Sequence, residues 1–447
     1  MKNSIVIIMI SLLLLSCNDF LDIKPDKKLA TPQKGSDLQA LLDYFPGVNQ
    51  LHSIGVGEIG ADNYFVNDAD WQSIYYVEHR DLYIWKNTPV VLDYWAWAYN
   101  KILTANTVID LIDDVSYSST SEKNTVLGSA LFIRGIVFYH LSQVFSPPLD
   151  GANVNERLGI VLRLSPDINE VSQRATMGQM YDQIISDLKT AALLLPSGKP
   201  LYVTQPSKAS AYGALSSVFM AIRDYPRAGL YADSCLQLQR ELMDFNQIPG
   251  VNSYPFDRFN EEVIFYMEMA ATEYLGESRA RVDSTLYHSY DESDQRKRLF
   301  FSPTNVTNQY LFVGDFSKSS NAIKFCGITT SEILLNHMEC LIREGRNREI
   351  GDELTYFLNS RYASFPIVDL NGDDEGAMLR FILDERRKEL IFRGVRWTDI
   401  RRLSFDPTNS VEIVRNINGT QYRLTPDQQK TFCYSIPQEV VDRGGFK

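Results

Sequence analysis

The sequence predicts a mainly α-helical protein, a scaffold of paired helices carrying long loop-rich insertions and a few short strands. Three observations carry that prediction. Apolar residues recur every three or four positions through 90–114, 121–145, 176–195, 208–222, 227–244, 330–344, 348–362 and 375–393, the period of one helix face. Between these segments, 47–85, 146–173, 247–321 and 404–447 are rich in Gly, Pro, Asn, Asp and aromatic residues, with short strand-like runs such as 262–267. With 44% hydrophobic and 22% charged residues over 447 positions, the chain can bury a large core. Its 44 Lys and Arg against 56 Asp and Glu leave a net charge of −12, which argues against a nucleic-acid binder, since that function needs basic patches. Five cysteines in a chain of this length exclude a disulfide-stapled scaffold.

The chain opens with targeting chemistry. Lys2 precedes an apolar run from Ile5 to Leu15, broken only by Ser11. Eleven helical residues rise only about 16 Å, too short for a ~30 Å bilayer core. Residues 1–16 therefore read as a signal peptide. Leu14-Leu15-Ser16-Cys17 resembles the lipobox of bacterial lipoproteins, where cleavage before the cysteine leaves Cys17 to carry the lipid. Several acyl chains on one residue anchor durably. Residues 17–35 are polar and Pro-containing and read as the lipidated tether. No later stretch approaches ~18 apolar residues, so the membrane is expected to be met through the lipid alone. No clean linker divides 36–447, which reads as one domain.

The domain begins helically, with Leu38, Leu41 and Leu42 on one face. In 207–238, Ala211 and Ala214 lie beside Leu215 and Phe219, then come a turn at Asp224-Tyr225-Pro226 and Ala228, Tyr231 and Ala232. Small residues let two antiparallel helices approach while Tyr and Phe fill the groove, and the segment resembles a tetratricopeptide helix pair. Residues 331–361 repeat the plan, with Ile333, Leu334, Met338, Leu341 and Ile342 before a turn at 345–347, and Leu354, Phe357 and Leu358 after it. Cys235 and Cys340 fall in such helices, where a free buried thiol is the commoner state. Export permits pairing among Cys235, Cys326, Cys340 and Cys433, and spacing alone does not choose partners.

Residues 382–403 read ILDERRKELIFRGVRWTDIRRL. Ile382, Leu390 and Phe392 form an apolar stripe, and the i,i+4 pairs Asp384–Lys388 and Glu389–Arg393 suit an exposed face. Gly394 suits a helix C-cap and Trp397 anchors a second short helix. The arrangement ERRKEL–F–G–RW–D–RR resembles the C-terminal signature of the SusD/RagB family, surface lipoproteins of Bacteroidetes that work with a TonB-dependent outer-membrane channel. Segments similar to other family motifs follow in the family's order: CNDFLDIKP at 17–25, 130–149, NEEVIFYM at 260–267, 291–301, 332–348 and YSIPQ at 434–438. Arg393 departs from the pattern, where an acidic residue is common, and reads as a change of surface charge. The chain is also short for the family.

The resemblance implies an α-helical nutrient-binding domain over 36–447, held at the cell surface on the outer membrane. It implies capture of an oligosaccharide or oligopeptide and delivery to a SusC-like TonB-dependent transporter, with a structural signature helix and no catalysis. Two other functions compete with it. An exported hydrolase such as a glycosidase needs only two well-placed carboxylates, though no nucleophile motif is present. A structural partner would close the channel without touching ligand.

Ligand candidates come from the aromatic distribution. Trp71, Trp85, Trp95 and Trp97 fall within 27 residues, and only Trp397 lies elsewhere. Trp85, Trp95 and Trp97 read as helix packing. Trp71, in a polar loop with Asp68, Asp70, Tyr75 and Tyr76, suits a sugar ring stacked on the indole with hydroxyls on the acids, and equally a peptide. Tyr274, Arg279, Arg281 and Tyr287 form a second candidate loop. No cofactor is expected. Asp369-Leu-Asn371-Gly-Asp373-Asp374-Glu375 starts like a calcium loop, but Asp374 stands where Gly is needed and Arg380 where Glu is needed, so it reads as an acidic turn capping the next helix. Gly55-Val-Gly57-Glu-Ile-Gly60 matches GxGxxG without a preceding strand and reads as a flexible loop. Ser186-Asp-Leu-Lys189 lies mid-helix without a KTG partner. No histidine has metal spacing, and His140 and His337 read as structural.

Overall fold

The longest of the described helices organises the rest. Thr120–Phe145 starts where the Ser119 side chain accepts the Glu122 amide, and nearly every side chain from Gly128 to Phe145 is buried. A helix apolar on all sides belongs inside a core. It is long and apolar enough to cross a membrane, contrary to the sequence expectation, yet 89% of its apolar window is buried in the protein. In this computed structural model, residues 32–151, 154–250, 254–270, 273–319, 322–364 and 374–444 are described. The signal peptide, Cys17 and residues 369–373 of the acidic turn lie outside them.

The scaffold helices are α1 (Gly35–Leu42), α2 (Gly55–Gly60), α3 (Asp68–Gln72), α4 (Leu92–Asp110), α5 (Thr120–Phe145), α6 (Met177–Leu194), α7 (Lys208–Ala221), α8 (Tyr225–Leu236), α9 (Thr330–Arg343), α10 (Gly351–Arg361), α11 (Glu375–Glu389) and α12 (Arg396–Leu403). From α4 to α9 each packs on the next, and α9 also packs on α10 and α11. Short polar residues start these helices. Thr176 and Ser207 form capping boxes with Gln179 and Ser210, and Asp224, Thr329 and Asp374 accept amides three residues on. In the pair α7–α8, Phe219 stacks on Tyr231 at 5.5 Å with ring planes 2° apart. Two expected helices end early: α8 stops at Leu236 and α11 at Glu389. Cys235, Cys326, Cys340 and Cys433 are free thiols, and all but Cys433 are buried.

The insertions carry short antiparallel strand pairs. Tyr64–Phe65 pairs with Arg281–Val282, and Ile413–Ile417 pairs with Thr420–Leu424 through a turn at Asn418 and Gly419, both at positive φ. The GxGxxG segment is no flexible loop. It is α2, wholly buried, and a Cβ on Gly57 would stand 2.6 Å from Cδ1 of Trp397. Glycine is required there because the indole lies on the helix backbone. Trp397 is 0% exposed and donates from Nε1 to the Gln143 carbonyl at 3.1 Å.

The signature segment also corrects the sequence reading. Its charges do not form an exposed face; Glu385, Arg386, Lys388, Glu389, Arg393, Arg396, Asp399, Arg401 and Arg402 are all buried. Glu389 pairs with Arg361 at 2.9 Å and Arg296 at 3.2 Å instead of Arg393, while Lys388 pairs with Glu385. Arg402 forks onto Glu339 at 2.6 and 2.7 Å and reaches Asp399 at 2.8 Å. Arg393, read as a surface charge, is buried with its guanidinium 3.9 Å from the Phe316 ring centre. Burying a charge is costly unless it is paired or hydrogen-bonded, and for Arg361, Arg296 and Arg402 bidentate Arg–carboxylate geometry supplies both. Burial raises the Glu339 and Glu389 carboxyls, but Arg402 and Arg361 outweigh it and hold each at about 2.

His140 and His337 are structural, as read. His337 Nδ1 lies 2.8 Å from Glu353 Oε2. His52 Nε2 donates to the Val48 carbonyl at 3.0 Å, so its Nδ1 accepts from His140 Nδ1 at 3.1 Å.

Candidate ligand-binding face

Strand pairing joins the two candidate loops. Phe65 lies opposite Arg281 and Tyr64 opposite Val282, so the chain entering α3 runs beside the chain leaving the 274–281 loop. Arg279 then reaches across, donating from Nη2 to the Ser73 hydroxyl at 3.3 Å. Residues some 200 positions apart thus share one surface.

On this surface Trp71 is half-buried. Its Nε1 donates to the Arg80 carbonyl at 3.3 Å, and the Arg80 guanidinium lies 5.7 Å from the ring centre. Beyond it Tyr75 is 82% exposed and Tyr76 52% exposed, their rings perpendicular at 5.0 Å. The aromatic contacts continue inward from Tyr76 through His79 and Tyr94 to Trp97. An exposed pair backed by such a ladder presents rigid ring faces to solvent. Such faces take the CH groups of a sugar or the side chains of a peptide, and Arg279 adds hydrogen-bond donors beside them.

The two carboxylates have structural duties. Asp68 Oδ1 accepts the Asn418 amide at 3.0 Å, and Gln72 Nε2 donates to Asn418 Oδ1 at 2.6 Å, so the hairpin turn leans on α3. Asp70 stands in the first turn of α3, where a negative charge complements the exposed amides. Tyr274 is a core residue, 0% exposed and stacked on Tyr83 at 5.1 Å with planes 9° apart, so it presents no face to a ligand. Arg281 turns back to the carbonyls of Glu277 and Ala280 at 3.0 and 2.9 Å. Tyr287 is partly exposed and stacks on Tyr310 at 3.5 Å with planes 12° apart, beside a cavity of about 320 Å³ that Lys297 also lines. Tyr310 escaped the sequence reading because its only signal is spatial, the pairing of Phe301–Pro303 with Tyr310–Phe312. Trp85 and Trp95 are buried and Trp97 half-buried against the core, as the sequence predicts.

Among the described residues no group of three or more His, Cys, Asp or Glu side chains is placed to hold a metal ion. Asp374, at the end of the acidic turn, caps α11 by accepting the Ala377 amide at 2.8 Å.

Comparison with known proteins agrees with this architecture. Residues 19–220 match a SusD-like family described as "Starch-binding associating with outer membrane", and residues 257–443 match the SusD family. The SusD-like protein P2 of Formosa agariphila is 23% identical over 411 residues, spanning 75% of this chain and 77% of its own. A SusD superfamily protein from Bacteroides vulgatus superposes with a TM-score of 0.74 at 18% identity, covering 93% of this chain and 98% of the other. A SusD-like carbohydrate binding protein from the same species gives 0.69 at 18% identity, over 92% and 97%. At such identities the structural likeness speaks to the fold.

Proposed function

Since the chain belongs to the SusD/RagB family, we propose that it is a cell-surface binding lipoprotein that captures an oligomeric nutrient and passes it to a TonB-dependent outer-membrane transporter. The observation that carries the reading is the exposed Tyr75–Tyr76 pair beside Trp71 and Arg279. An oligosaccharide is the favoured ligand, because related proteins are described as starch-binding or carbohydrate-binding and exposed ring faces stack on sugars. Capture needs no chemistry, and the candidate carboxylates Asp68 and Asp70 are committed to the hairpin turn and the α3 helix start.

Calorimetric titration with neutral oligosaccharides and with oligopeptides tests the reading. Heat without turnover is expected, and Tyr75→Ala should weaken it about tenfold or more, the scale of one stacked ring. Product formation would overturn binding in favour of hydrolysis. Anchoring through Cys17 predicts that Cys17→Ala releases the protein from the outer membrane. Recovery of a TonB-dependent β-barrel in mild detergent is the expected result of a pull-down, and its absence counts against the transporter partner.

A further inference from the structure

A larger cavity lies away from this face. A cleft of about 890 Å³ opens between the 84–89 segment, the outer strand Thr420–Leu424 of the hairpin and the chain that follows it. None of its lining residues belongs to the Trp71 face. Although the chain carries a net charge of −12, this lining holds two arginines, Arg174 and Arg423, and no carboxylate. Arg423 is paired with exposed Glu412 at 3.0 Å, which screens much of its charge. Arg174 is not neutralised. Its Nε donates to the Gly159 carbonyl at 2.9 Å and its Nη2 to the Leu158 carbonyl at 3.4 Å, and among the described residues no carboxylate stands within salt-bridge distance. A second such cation adds to the field. Arg401, 2% exposed, donates to the Gln143 and Ser146 carbonyls and lacks a carboxylate partner among the described residues. Partly desolvated cations in a cleft attract anions more strongly than the same charges in open water. The rest of the lining suits a sugar, with half-buried Phe432 beside the amides of Gln428 and Gln438.

We propose that this cleft is a second binding site, selective for an acidic oligosaccharide whose carboxylate is received by Arg174. The proposal rests on the reading that the protein captures oligomeric nutrients, and adds charge selectivity at a separate place. A nutrient with acidic units would then engage the platform and the cleft through different chemistry.

The experiment titrates the full chain with tetragalacturonate and with its fully methyl-esterified, uncharged counterpart. The acid should bind at least tenfold more tightly than the ester. Arg174→Gln, whose amide can still donate to the Gly159 carbonyl, should bring the two affinities within about twofold while leaving the melting temperature unchanged. Trp71→Ala should leave the acid-to-ester ratio intact. Cys433, the least buried of the four described thiols, should be protected from alkylation by the acid even in Trp71→Ala, which locates the site. Equal affinities in the wild type, no binding of either probe, or a ratio that survives Arg174→Gln would overturn the proposal. If instead Trp71→Ala and Tyr75→Ala change no affinity while the arginine-dependent ratio stands, the aromatic platform fails and the cleft survives.

Discussion

Between Glu385 and Arg402 most charged side chains lie inside the protein, while around Trp71 two tyrosines stand in solvent. Each region places residues against their usual habit, and the reasons differ. Most charges of the signature segment and its partners come in matched sets: Arg361 with Glu262 and Glu389, Arg296 with Asp294 and Glu385, Arg402 with Glu339 and Asp399, whereas Arg401 rests on backbone carbonyls and Arg393 on the Phe316 ring. Each guanidinium in a matched set is met by carboxylates in fork geometry, so Coulomb attraction and hydrogen bonds together offset desolvation. The exposed tyrosines have no such compensation to gain from their position. A contiguous apolar surface left in water is the mark of a contact surface. The contrast separates residues that hold the fold from residues free to be spent on a ligand.

Four measurements can break or sharpen that contrast, beginning with the largest effect. Arg361→Ala leaves Glu262 and Glu389 buried without their shared cation, and should cost about 3–5 kcal/mol in urea unfolding. A loss below 1 kcal/mol would mean the network is not holding α10 to α11.

Acid is the second probe. Burial, then Lys101, pushes the His140 imidazole down to about 3, and burial with His140 pushes His52 well below its usual 6.5. The unfolded chain therefore takes up these protons first, and their contribution to stability is lost as pH falls below about 6.5. Glu58 works the other way: burial raises its carboxyl to about 7, so its contribution is present below 4.5 and lost as pH rises through 7. One carboxyl against two imidazoles, it offsets only part of their loss between 7 and 5. Below 4.5, Glu339 and Glu389, held at about 2, add their own loss. Urea midpoints should decline gently from pH 7 to 5 and steeply by pH 3.5; a flat profile to pH 3.5 contradicts the buried network.

Third, Gly57→Ala forces a methyl against the Trp397 indole and should destabilise by roughly 1–3 kcal/mol through overpacking. An unchanged midpoint would show that α2 can slide away from α12. Smallest in stability, Tyr75→Ala should stay within about 0.5 kcal/mol of the parent, as exposed substitutions do. Its loss of ligand affinity, set beside that unchanged midpoint, is the sharpest form of the contrast.

Much of this was legible in the residues. The long helices appeared at the expected places because their apolar stripes recur at 3.6 residues, and the order of motifs from Cys17 to Gln438 pointed to the family. The signature helix was read as structural and is so. Its burial was not legible, since Asp384–Lys388 and Glu389–Arg393 look alike at i,i+4 spacing whether they face water or the partners supplied by Arg296 and Arg361. Of the site candidates, Trp71, Tyr75 and Arg279 do share a surface, but Tyr274 fell into the core, because a tyrosine in a Gly- and Ser-containing loop carries no mark of which way its ring turns.

By itself the sequence determined the helical class, the paired-helix repeat and the family, because these follow from local periodicity and from motifs read in order. Only the tertiary structure decided which charges are buried, which aromatics reach solvent, and that Arg174 lines a wide cleft with no carboxylate in its lining. Those outcomes depend on partners brought from 28 to more than 300 positions away, such as Glu389 on Arg361, Glu339 on Arg402 and Asp62 on Arg396, and no local pattern encodes such distances.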